Sequence, residues 1–97
     1  MLEEGLSAKQ YIDLSKKFFN ESKYDECIEA ANKALQLNPD AAVAYDELSA
    51  VYDDEFNWKL GAENGEKAFF LDPKLYENLA SAYKGTQDWK AVKNVYA

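Results

Sequence analysis

Residues 23–40 read KYDECIEAANKALQLNPD, and residues 57–73 read NWKLGAENGEKAFFLDP. The second stretch repeats the first at an offset of 34: Glu29, Lys33, Ala34, Leu37 and Pro39 return as Glu63, Lys67, Ala68, Leu71 and Pro73. Upstream, Tyr11, Leu14, Ser15 and Phe18 return as Tyr45, Leu48, Ser49 and Tyr52 at the same spacing. A third copy, Tyr76, Leu79, Ala80, Tyr83 and Trp89, follows Tyr45, Leu48, Ser49, Tyr52 and Trp58 at an offset of 31, so three residues are missing at that junction. Self-similarity at this period signals stacked supersecondary units, none of which buries its apolar face alone.

Within each copy the apolar spacing is helical. Tyr11, Leu14 and Phe18 are three and four residues apart, on one stripe, and Cys27, Ile28, Ala31, Ala34 and Leu35 form another. The pattern predicts paired helices over 7–20 and 23–37, 40–55 and 57–71, and 73–85 and 88–97. Ser7 is suited to cap the first helix. Asp72 is expected to cap the fifth, with Pro73 at its first position, where a missing N–H does no harm. The 97 residues read as a single domain, with units at about 7–39, 40–72 and 73–97, the last incomplete.

Composition narrows the function classes. The chain carries a net charge of −7 and no arginine, which opposes binding to nucleic-acid phosphates and to anionic membrane surfaces. No apolar run reaches the 18 residues that suggest a membrane span, and the first ten residues, MLEEGLSAKQ, are acidic where a signal peptide is basic. The expected location is the cytoplasm or another soluble compartment, or a soluble domain of a larger membrane protein. The single cysteine, Cys27, excludes an intrachain disulfide.

Catalysis is not expected. The chain has no histidine, so the usual general base and the commonest metal ligand are absent. Cys27 falls on a small-residue stripe and reads as buried packing. The acidic run Asp53-Asp54-Glu55 lacks the alternation and the glycine of a calcium loop. No phosphate-cradling glycine motif occurs. The expectation is therefore no cofactor and no metal.

The period, the helix pairing and the two prolines resemble the tetratricopeptide repeat (TPR) family. The residues that carry the resemblance are Tyr11, Leu14-Ser15, Phe18, Cys27, Ala31 and Pro39, then Tyr45, Leu48-Ser49, Tyr52, Gly61, Gly65 and Pro73. It spans about Ser7 to Ala97. The stretch YIDLSKKFFNESKYDECIEAANKAL also looks like TPR tails of some bacterial membrane proteins. The family's Leu-Gly step is here Leu-Ser or Leu-Ala, and the aromatic of its second helix is replaced by Ala31 and Gly65. Mid-helix Gly61 and Gly65 each cost about 1 kcal/mol relative to alanine. Either they let a neighbouring helix approach closely, or the missing aromatic leaves a pocket for a partner side chain.

The resemblance implies an all-α fold: a right-handed superhelical stack of three helix hairpins, the last truncated. It also implies a non-catalytic interaction module that holds a peptide or protein segment in a concave groove along the first helix of each unit. Carried over, that groove is lined by Lys9, Ile12, Asp13, Lys16, Phe19 and Asn20, then by Val43, Asp46, Glu47, Ala50, Asp53 and Asp54. In the third unit it is lined by Lys74, Glu77, Asn78, Ser81 and Lys84. The spacings of three, four and seven keep each set on one helical face. Asp46, Glu47, Asp53 and Asp54 would make its middle acidic, which suits a ligand with a basic residue and an apolar anchor. The alternative is a solvated face, since carboxylates on an acidic chain need no ligand.

The last segment presents Trp89, Val92, Val95 and Tyr96 with no following helix to cover them, which points to homo-oligomerisation through that helix. A structural spacer or self-association segment of a longer repeat array, or of a larger membrane protein, is the alternative function.

Overall fold

The computed structural model describes residues 4–87. Ser7 opens the first helix as expected. Its Oγ accepts from the Gln10 backbone N–H at 3.1 Å, while Gln10 Oε1 accepts from the Ser7 N–H at 2.8 Å. This reciprocal box satisfies two donors that helical geometry leaves without partners. Five helices follow: α1 (Ala8–Asn20), α2 (Tyr24–Leu37), α3 (Ala42–Asp54), α4 (Trp58–Leu71) and α5 (Glu77–Gly85). The described residues contain no strand, and the fold is all-α. The expected helix over 88–97 lies outside the described residues, as do Trp89, Val92, Val95 and Tyr96.

The 34-residue offset recurs in hydrogen bonds as well as in letters. At the end of α1, the Lys23 N–H donates to Phe18 O at 2.8 Å and Ser22 N–H to Phe19 O at 3.0 Å. At the end of α3, Asn57 and Phe56 make the same pair of bonds to Tyr52 O and Asp53 O, at 2.8 and 3.0 Å. Both ends are Schellman closures, which need a left-handed residue. Ser22 (φ 59°) and Phe56 (φ 61°) supply it without a glycine, and Gln87 (φ 63°) occupies the matching place after α5.

The serines of the Leu-Ser steps repeat too. Ser15 Oγ donates to Cys27 O at 3.0 Å, and Ser49 Oγ to Gly61 O at 2.7 Å. Each buried hydroxyl ties the first helix of a hairpin to the second, which satisfies a group that would otherwise be costly to bury.

The prolines act differently from expectation. Asn38 and Asp72 take extended backbone, with φ of −143° and −146°, as a residue before proline must. Their side chains accept from the N–H of Asp40 and Lys74, both at 3.1 Å, in local turns. Helix α3 therefore starts at Ala42 rather than residue 40. Helix α5 starts at Glu77, so Asp72 closes α4 instead of capping α5 and Pro73 lies in the connection. The three missing residues are taken out of helix: Tyr45 lies inside α3, whereas its counterpart Tyr76 is the cap residue of α5.

Each helix packs on the next along the chain, and α3 also packs on both α1 and α5. No Cα of α2 comes within 8 Å of one in α4. The odd-numbered helices thus form a continuous row, while the even-numbered ones stand apart. Small residues set these approaches: Ala30, Ala31, Ala34, Ala44, Ala68, Ala80 and Ala82 are all fully buried. Around Tyr11, Ala34, Ala41 and Ala44, the side chains of Leu6, Ile12, Leu14 and Leu35 complete one core cluster.

The two mid-helix glycines have distinct causes. A Cβ on Gly65 would lie 3.0 Å from Leu79 Cα and Cβ and from Ser49 Oγ, so this glycine lets α5 approach α4 closely. A Cβ on Gly61 would collide with the Asp53 carboxylate. Neither position leaves a pocket.

Candidate functional site

The row α1–α3–α5 presents a cleft of about 370 Å³ lined by Lys16, Phe19 and Asn20 of α1, Glu47 and Ala50 of α3, and Asn78 of α5. The residues from α1 and from α3 are three or four apart, which puts each set on one helical face. A smaller hollow of about 210 Å³ adjoins it, lined by Asp46, Lys74, Leu75, Glu77 and Asn78. Asn78 belongs to both. Its Nδ2 donates to Asp46 O at 3.2 Å and to Asp46 Oδ1 at 3.0 Å, which pins α5 to α3 at the boundary between the two.

Phe19 forms an apolar wall. Its ring packs against Tyr24 at a centroid distance of 5.8 Å, tilted by 39°. Glu47 and Asp46 give the face its charge. Burial is the first cause that raises the pKa of both carboxyls. For Asp46, the Asn78 hydrogen bond opposes this, Glu77 adds to it and Lys16 opposes it. For Glu47, Asp46 adds to it and Lys16 opposes it. Half-buried carboxylates held near one another have a deficit of positive charge, and a cationic group of a ligand would relieve it.

The other expected groove residues fall elsewhere. Lys9, Asp13 and Lys84 are exposed, and Val43 is half-buried outside the cleft. Ile12 is half-buried and packs against the first core cluster, as does Leu6, and it does not line the cleft. Asp54 is exposed and accepts from the Tyr24 hydroxyl at 2.7 Å, an inter-hairpin bond that raises the tyrosine pKa.

Asp53 is the main correction. It is only 7% exposed, and both carboxylate oxygens are buried without a hydrogen-bond partner. Its side chain turns into the space left by Gly61, with Ala82 of α5 close by. It therefore does not line the cleft. The acidic middle read from the sequence separates into Asp46 and Glu47 on the face, Asp53 inside, and Asp54 toward α2.

Two participants were not anticipated. Leu75 lines the smaller hollow because the α4–α5 connection is longer than expected, and Tyr24 fixes Asp54. The helical spacing places Tyr24 one turn from Cys27, but gives no sign of a partner 30 residues away. Cys27 is fully buried, its Sγ 3.2 Å from Ser15 Oγ, and burial pushes its thiol pKa up. No group of three or more metal-ligating side chains forms among the described residues. None of their helices is long and apolar enough to cross a membrane.

The chain matches no protein-family model and none of the curated proteins.

Proposed function

We propose that this protein is a non-catalytic helical-repeat module of the TPR kind that docks a protein or peptide segment across the α1–α3–α5 face. The observation that carries this reading is the cleft formed by Lys16, Phe19, Asn20, Glu47, Ala50 and Asn78, to which three successive odd-numbered helices contribute. Support for a superhelical stack comes from the continuous α1–α3–α5 row beside the separated α2 and α4, since an array packed on one side only curves toward that side. The absence of histidine and the burial of Cys27 favour binding over catalysis.

The ligand that fits carries an apolar side chain for Phe19 and Ala50, and a Lys or Arg for Glu47 and Asp46. The apolar contact supplies most of the affinity, and the charge pair selects and steers. An array of immobilised peptides, each with one aromatic or aliphatic residue near one Lys or Arg, tests this. Bound peptides are expected to lose about tenfold or more in affinity on Phe19→Ala, and to change preference toward acidic peptides on Glu47→Lys. Binding that neither substitution alters would refute the proposal.

A further inference from the structure

A separate hollow of about 610 Å³ lies between the α2–α3 connection, the start of α3 and the second half of α4. Asp40, Tyr45, Glu63, Glu66, Phe70 and Leu71 line it, and it shares no residue with the cleft. Phe70 is 86% exposed at its rim. Lys67, also in the lining, holds its Nζ 5.4 Å from the centre of the Tyr45 ring.

The internal repeat gives a direct comparison. Moved back by 34 positions, Tyr45, Glu63, Lys67 and Leu71 become Tyr11, Glu29, Lys33 and Leu37, which are the same residue types. Four lining positions differ: Pro39, Asp40, Glu66 and Phe70 stand where the first unit has Gly5, Leu6, Asn32 and Gln36. Leu6 is half-buried and packs against the cluster that contains Tyr11 and Ala34. Asp40 is exposed, its N–H held by Asn38 Oδ1. The second unit therefore lacks the leucine that packs against the first, and the hollow lies at the corresponding place.

We propose that this hollow accepts one aliphatic side chain of a partner protein, in the position Leu6 holds in the first unit, from a segment whose neighbouring residues are Lys or Arg. The site differs from the α1–α3–α5 cleft and does not depend on it. Three carboxylates, Asp40, Glu63 and Glu66, surround the hollow against the single cation Lys67, so its rim favours a basic segment. The same charge disfavours a second copy of this chain, whose net charge is −7. Phe70 adds exposed aromatic surface for the stem of a partner Lys or Arg.

The probe is a fluorescein-labelled peptide Lys-Lys-Leu-Lys-Lys, compared by anisotropy with Lys-Lys-Ser-Lys-Lys. Saturable binding of the first is expected, weakened about tenfold or more by the serine, because a buried leucine side chain supplies at least that factor. Asp40→Leu places the chain's own leucine in the hollow. It is expected to weaken the probe about tenfold or more and to raise the melting temperature. Glu66→Lys, an exposed change, is expected to weaken the probe without lowering the melting temperature, and serves if Asp40→Leu does not fold. The probe also fits the α1–α3–α5 cleft, so all these measurements are made in a Phe19→Ala/Glu47→Lys background, in which the binding that remains is that of this hollow. The proposal fails if the leucine peptide does not bind, if both peptides bind equally, or if neither Asp40→Leu nor Glu66→Lys weakens binding. It fails equally if sedimentation shows a dimer that Asp40→Leu abolishes, since the occupant would then be a second copy.

Discussion

The Asp53 carboxylate occupies the space that a Cβ on Gly61 would fill. The two residues belong to adjacent helices, and each accounts for the other. Gly61→Ala adds about 1 kcal/mol of helix propensity but forces Asp53 or α4 to move, which costs about 1–3 kcal/mol. The expected result is a net loss of stability by urea denaturation. In the Asp53→Ala background the same substitution is expected to stabilise. A double-mutant cycle that shows no coupling would contradict the geometry.

Asp53 also sets a pH dependence. Burial first, then Asp54 and Asp46, pushes its pKa from the usual 3.8 up to about 7. A raised folded-state pKa means that the neutral form suits the fold. The contribution is fully present below about 3.8 and is lost as pH rises through about 7. Asp46 and Glu47, whose pKa values are raised as well, act in the same direction. The urea midpoint of the protein is therefore expected to fall between about pH 4 and 7. Asp53→Asn, which cannot ionise, should remove most of that fall. An unchanged slope in this variant would show that Asp53 is not the titrating group.

Gly65→Ala tests the close approach of α4 and α5. The new Cβ would lie 3.0 Å from Leu79 Cα, a backbone atom that cannot rotate away. The expected loss is about 1 kcal/mol, with the propensity gain outweighed by the overlap. A stabilised variant would mean that α5 is free to shift outward.

The left-handed residue that closes α1 offers the opposite outcome. Ser22 has a φ of 59°, which glycine adopts without strain. Ser22→Gly is expected to raise stability by about 0.5–1 kcal/mol, measured as an upward shift in the thermal midpoint. Phe56→Gly, at the equivalent place, should gain less, because Phe56 also packs edge-on against Trp58 at 5.6 Å.

Helix ends show how far the chain could be read. The end of α2 at Leu37 and of α4 at Leu71 matches the pattern, because an Asn or Asp before proline is forced into extended backbone. The start of α5 does not match. Asp72-Pro73 suits the first turn of a helix as well as a turn after one; here Leu75 N–H donates to Asp72 O at 2.9 Å in a turn, and helical bonding resumes only at Tyr76 O, which accepts from Ala80 N–H at 2.9 Å. Gly85 gave no signal at all. Its value appears only in space, where the Trp58 ring lies on it and a Cβ would collide with Cδ2 and Cε2.

The sequence by itself determined the helical period, the pairing of helices, the small residues along their contacts and the acidic, histidine-free character of the chain. These properties follow from spacing and composition, which local structure obeys directly. Only the tertiary structure decided which carboxylates share a face. Asp46 and Asp53 are seven residues apart on one helical stripe, yet Asn78 meets the first at the surface while the gap above Gly61 takes in the second. A side chain's environment depends on the helix opposite, and a one-dimensional pattern does not contain that neighbour.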